Sequence, residues 1–203
     1  MGGDLYDYFV RDGRLFFCIG DVSGKGVPSA MFMAMVLSHF RAFSTHENNP
    51  ARIMQALNET VCKRNPSNMF VTLFIGVLDL PTGALHYCNA GHDCPLILGK
   101  DLAAIEAPPH LPVGVFDDVK YTAGECVLEP GSTLFLYTDG LTEAKDLSRA
   151  QFGLSRVRET LRTLSGLGPE EILEQVGQTL TAFVDGAPQS DDLTLMAITK
   201  KNN

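Results

Sequence analysis

Two hydrophobic periods alternate along the chain. Residues 5–11 and 14–22 are rich in aromatic and β-branched side chains and flank Asp12-Gly13, a strong short-range hairpin signal. They predict two paired strands. Gly24 and Gly26 break the second strand, and Pro28 suits the first turn of a helix. The run PSAMFMAMVLSHFRAFS, residues 28–44, is apolar on almost every face. It predicts a buried helix of about four turns with its methionines as core filler. Asn49-Pro50 opens a second helix over 50–65, with Ile53, Met54, Leu57 and Val61 on its inner face.

A long apolar strand follows in MFVTLFIGVLDL (69–80), then the turn PTG, then ALHYCNAG (84–91), a second hairpin. PLILG (95–99) adds a short strand, and 121–128 and 132–138 two more around the turn EPGS. After Asp139-Gly140 the helical period returns over 152–164 and 169–184, and LTLMAIT (193–199) is a final strand. Strands, two helices, strands, two helices and a strand predict the α+β class. The expected architecture is two antiparallel β-sheets packed as a sandwich with flanking helix pairs.

Composition narrows this picture. The chain has 203 residues, 45% of them apolar and 20% charged, with no repeat or low-complexity tract. It reads as one soluble domain over 1–203. The net charge of −8 argues against a nucleic-acid binder, which needs a basic stripe. No run approaches the ~20 apolar residues of a membrane span, and there is no signal peptide, so the domain is expected to make no membrane contact. Five scattered cysteines without a CxxC pair suggest reduced thiols in the cytoplasm and no zinc site. Strand-forming sequence stands directly after Met1, which predicts a catalytic domain trimmed from a longer chain. The missing upstream segments could anchor the full-length protein to a membrane.

The candidate chemistry lies at strand ends. Asp4 follows Gly2-Gly3, Asp21 ends FFCIG, Asp139 ends TLFLYT, and Asp191-Asp192 precede LTLMAIT. One such aspartate alone is an ordinary turn former. Several converging on one place would repel unless a cation lay between them, and all-oxygen ligation suits Mg²⁺ or Mn²⁺. The glycine-rich GDVSGKG is not a P-loop. Only three residues separate Gly20 from Gly24, and Gly26 rather than a hydroxyl residue follows Lys25. GGDLYD shares its first three residues with the diguanylate cyclase turn but lacks the acidic continuation. No cysteine has an arginine six residues later, so the CX₅R phosphatase nucleophile is absent.

Taken in order, GGDLYDYF, GDVSGKGVPSAMFMA, NAGHDCPLIL, LPVGV, LYTDGLTEA and SDDLTLMAI resemble the bacterial SpoIIE/RsbU-type serine phosphatases of the metal-dependent protein phosphatase (PPM, type 2C) family. The resemblance implies α-β-β-α layers and two Mn²⁺ or Mg²⁺ ions in a cleft between the sheets. It implies Asp21 as bridging ligand with the carbonyl of Val22, Asp139 and Asp191 as further ligands with Asp192 beside them, and Asp4 holding the second ion directly or through water. Asp21, Asp139 and Asp191 would then carry catalysis through a metal-bound water. The implied substrate is a phosphoserine or phosphothreonine protein, typically a STAS-type anti-sigma-factor antagonist in a partner-switching pathway. The helices after Asp21 are implied to carry the on/off switch, and upstream segments to regulate a homodimer.

Three neighbours stay open. Lys25 is either a substrate-binding residue or a solvated loop lysine. His92 is either a general acid or a turn-shaping residue, and Glu143 a supporting or helix-start residue. Two other readings compete, a pseudophosphatase that only binds a partner and a hydrolase of small phosphoesters.

Overall fold

The two sequence periods become two antiparallel sheets and their helices. The computed structural model describes residues 3–63, 65 and 68–201. Gly2 of the GGD stretch and Arg64 of the expected second helix lie outside the described residues. In chain order the elements begin β1 (Asp4–Arg11), β2 (Arg14–Val22), α1 (Val27–Phe43), α2 (Pro50–Cys62), β3 (Val71–Asp79) and β4 (Ala84–Ala90). They continue β5 (Leu96–Leu98), β6 (Leu102–Ala104), β7 (Gly124–Val127), β8 (Thr133–Tyr137), α3 (Asp139–Thr142), α4 (Gly153–Thr163), α5 (Pro169–Val184) and β9 (Leu195–Thr199). The chain forms two compact units. One takes residues up to 92 and 106–127, the other 93–105 and 128 onward.

The first unit holds a five-stranded sheet in the order β1-β2-β3-β4-β7. Asp12 and Gly13 have φ of 50° and 71°, so the β1–β2 turn has the two positive φ angles of a type I′ hairpin. One face of this sheet carries Leu5, Phe16, Cys18, Leu73 and Ile75. These pack with Phe32, Val36 and Phe40 of α1 and with Ile53, Met54, Leu57 and Val61 of α2 into one core. Full burial of each such side chain contributes roughly 1.5–3 kcal/mol. The opposite face carries a stacked row, Phe17 on Phe74 and Phe74 on Tyr87. Two arginines tie the edge strand to α1. Arg41 pairs with Asp7 and lies over Phe9, while Arg11 reaches the Ser44 carbonyl.

α2 begins as expected. The Asn49 side chain accepts from the amides of Ala51 (2.9 Å) and Arg52 (3.3 Å), and Pro50 occupies the first turn. Asn49→Ala is expected to cost about 1 kcal/mol in denaturant unfolding, with Asn49→Asp retaining most of it.

The second unit holds the four-stranded sheet β6-β5-β8-β9. Its core joins Leu96, Phe135, Tyr137 and Leu141 to Val157 and Leu161 of α4 and Ile172 and Val176 of α5. Phe152 meets Phe183 edge-on at 5.2 Å, and Arg156 covers the Phe183 ring at 4.8 Å. At the start of α5 the Glu171 carboxylate accepts the Gly168 amide at 3.0 Å.

Two expectations change. α1 is not buried all round. Ser29, Phe32, Val36 and Phe40 form its single buried stripe, while Val27 is 60% and Met31 70% exposed. Only one side of the helix meets the sheet and α2, so composition overstated its burial. The strand expected over 121–128 shortens to β7 because Tyr121 and Thr122 find other partners. The Tyr121 ring is buried with its hydroxyl donating to the Leu111 carbonyl, and the Thr122 amide donates to His110 Nε2 at 3.2 Å. The strands either side of EPGS also join different sheets, β7 pairing with β4 and β8 with β5 and β9. Among the described residues no helix is long and apolar enough to cross a membrane.

Candidate metal centre

In the first unit the β1–β2 register places Asp4 directly opposite Asp21, and the β2–β3 register places Thr72 on the other side of Asp21. Directly opposed residues share a sheet face, here the face turned from α1 and α2. Two like charges at such a position destabilise an antiparallel pair unless something positive offsets them. The Thr72 hydroxyl lies 3.4 Å from both the amide and the carbonyl of Asp21 and 3.1 Å from His92 Nδ1. The strand end that carries Asp21 is thus laced to its neighbour through side-chain as well as ladder bonds.

A second feature closes this edge. The Val22 amide donates to the Gly3 carbonyl at 3.1 Å, which brings Gly3 close over the strand end. A Cβ on Gly3 would stand 2.6 Å from the Val22 carbonyl oxygen, 3.0 Å from Asp21 Oδ1 and 3.1 Å from Ser29 Oγ. Three oxygens therefore converge beside the Cα of Gly3, too close to admit a side chain there. Hard divalent cations take oxygen ligands of this kind, so the residues present fit Mg²⁺ or Mn²⁺. Beyond Val22 the chain leaves the strand through Gly24 and Gly26, at φ of 84° and 88°, with Lys25 exposed between them.

In the second unit the TDG and DD segments are locked together. The Thr138 amide donates to the Thr194 carbonyl at 3.1 Å, and the Thr194 amide to Thr138 Oγ1 at 3.0 Å. A Cβ on Gly140 would lie only 1.8 Å from the Asp192 carbonyl oxygen, so backbone meets backbone beside Asp139. Asp191 Oδ1 accepts the Asp192 amide at 3.0 Å, and both aspartates are half-buried. The structure thus brings Asp4, Asp21 and the Val22 carbonyl to one edge, and Asp139, Asp191 and Asp192 to another. Among the described residues, neither unit gathers three or more His, Cys, Asp or Glu side chains into a ready-made cluster. The donors at the first edge are two carboxylates supplemented by carbonyl and hydroxyl oxygens.

His92 is a brace in this structure. Its amide donates to Asn89 Oδ1 and its carbonyl accepts from Asn89 Nδ2, both at 2.8 Å, and the residue is 7% exposed. Its neighbour Asp93 is the carboxylate the sequence reading passed over. Burial raises its pKa, and the negative charges of Asp139 and Glu143 raise it further. Asp93 therefore lies within electrostatic reach of the TDG aspartate, and its place in NAGHD was the available signal. Glu143 caps α3 at its C-terminus, its amide donating to the Asp139 carbonyl at 2.7 Å. Burial raises the Cys18 thiol pKa and pushes that of Cys88 up to about 12. Thiols so protonated are poor nucleophiles.

Known proteins share this fold. The SiaA-PP2C domain of Pseudomonas aeruginosa superposes with a TM-score of 0.86 at 22% identity, covering 98% of this chain and 80% of that one. The fold is that of a PP2C-type phosphatase domain. The family described as Stage II sporulation protein E (SpoIIE) matches residues 11–201, and the chain belongs to that family as a SpoIIE/RsbU-type domain. Protein IcfG of Synechocystis sp. is 34% identical over 98% of this chain. Phosphoserine phosphatase RsbU of Bacillus subtilis is 29% identical over 71% of it. The chain spans 36% and 44% of the length of these two relatives.

Proposed function

We propose that this domain hydrolyses phosphoserine or phosphothreonine on a regulatory protein, a STAS-type anti-sigma-factor antagonist in a bacterial partner-switching pathway. The chemistry depends on two divalent ions, Mn²⁺ or Mg²⁺. The observation that carries the reading is the pair Asp4 and Asp21, facing each other across β1 and β2 beside an oxygen-lined space at Gly3. Asp4, Asp21 and the Val22 carbonyl would hold metal at that edge of the first unit, and Asp139, Asp191 and Asp192 would hold metal in the second.

When bound, such ions acidify a water and neutralise the phosphoryl oxygens. The chain's own residues do the positioning. Thr72 fixes the Asp21 backbone and His92 fixes Thr72. The Thr138–Thr194 bonds hold Asp139 beside the DD segment. Lys25, exposed on its glycine-flanked loop, would meet the incoming phosphate as a point charge. Names among the relatives support the substrate class, RsbU being called a phosphoserine phosphatase.

The test is phosphate release from a phosphorylated STAS protein. Release is expected with Mn²⁺, to vanish on chelation and to return when Mn²⁺ is restored. Release that persists undiminished in chelator would overturn the mechanism. Tight binding of the phosphoprotein without any release would make the domain a binder instead.

A further inference from the structure

One oxygen of the Gly3 space belongs neither to the carboxylate pattern nor to the ligands assigned so far. Ser29 stands in the first turn of α1 and is fully buried, at 0% exposure. Its Oγ has no hydrogen-bond partner among the described residues. A buried hydroxyl left unsatisfied costs about 1–3 kcal/mol, so its presence calls for a partner that the described residues do not supply. The same Oγ is 3.1 Å from the point that lies 2.6 Å from the Val22 carbonyl oxygen and 3.0 Å from Asp21 Oδ1.

We propose that the Ser29 hydroxyl is a further ligand of the cation held by Asp21 and the Val22 carbonyl, an oxygen contributed by α1. This inference rests on the metal reading above. A serine hydroxyl is a competent ligand for a hard cation, as in nucleotide-binding loops where Ser or Thr meets Mg²⁺. It adds an oxygen without adding charge. That matters at an edge where two carboxylates already oppose each other. The start of α1 holds the hydroxyl in place, since the Ala30 amide donates to the Gly26 carbonyl at 3.1 Å and Pro28 stiffens the first turn. The positive end of α1 opposes a nearby cation by up to about 1 kcal/mol, which two carboxylates outweigh. Ser29 lies seven residues beyond Val22, so the glycine-rich loop returns the chain to the metal ligand it has just left.

The test is cation binding, read by calorimetry and by the thermal shift that Mn²⁺ produces. Ser29→Ala is expected to weaken Mn²⁺ binding about tenfold. Without metal its melting temperature should equal or exceed that of the wild type, because an unsatisfied buried hydroxyl has been removed. A merely structural serine would give the reverse pattern. Ser29→Cys should raise affinity for Cd²⁺ relative to Mg²⁺ about tenfold, because sulfur replaces oxygen as a ligand. Wild-type Mn²⁺ binding with Ser29→Ala within about twofold of it would overturn this inference and leave the metal reading standing. A wild-type protein that binds no Mn²⁺ at millimolar concentration would sink both.

Discussion

Asp21→Asn is expected to lower Mn²⁺-dependent phosphate release by at least about a hundredfold, since loss even of groups that only orient metal ligands costs 10–100-fold. The substitution keeps the shape of the side chain and one oxygen, so packing is conserved. What changes is charge. With Asp4 directly opposite, removing one of two like charges relieves repulsion in the metal-free protein. Thermal stability without metal should therefore hold or rise slightly while activity and Mn²⁺ affinity collapse. That divergence separates a ligand from a structural residue. Measured together, apo melting, Mn²⁺ binding and phosphate release decide the matter, and a variant retaining more than about a tenth of wild-type release would refute the assignment.

Gly140→Ala is expected to damage the second unit more than any other single methyl described. The new Cβ would sit 1.8 Å from the Asp192 carbonyl oxygen, a contact that only movement of backbone can relieve. Overpacking of this kind costs typically about 1–3 kcal/mol, and here the obstacle is not a flexible side chain. The strain falls on the segment that carries Asp139 and on the one that carries Asp191 and Asp192. Unfolding in denaturant should show the stability loss, and Mn²⁺ affinity should fall with it although no ligand has been altered. Unchanged stability would mean that the two segments are not held together as tightly as the Thr138–Thr194 bonds indicate.

The strands and amphipathic helices were legible because their period and their punctuation agree. β1 and β2 follow from alternation around Asp12-Gly13, and α2 from Asn49-Pro50 and the face Ile53, Met54, Leu57, Val61. α1 was legible as a helix but not in its burial, because an all-apolar run carries no record of which side meets the core. β6 was missed, its Leu102-Ala103-Ala104 being too short and too small to show alternation. The acidic strand ends were legible as candidates, since an aspartate between an apolar run and a glycine is visible in the sequence. Asp93 was not, because its proximity to Asp139 and Glu143 depends on how β5 and β8 pair. Gly3 and Ser29 were illegible for the same reason, as a small residue's role is fixed by what approaches it.

The two-residue turn between β1 and β2 has a consequence at the far end of the hairpin. Arg11 pairs with Arg14 across it, and seven paired positions later Asp4 meets Asp21. Side chains alternate faces along a strand, so a register one residue out would send Asp4 to the side of Leu5 and bring Leu5 opposite Asp21. Asp12 and Gly13 thus act as a ruler. They stand at the other end of the hairpin, yet the length of the loop they form decides whether the edge proposed to hold metal carries two carboxylates or one.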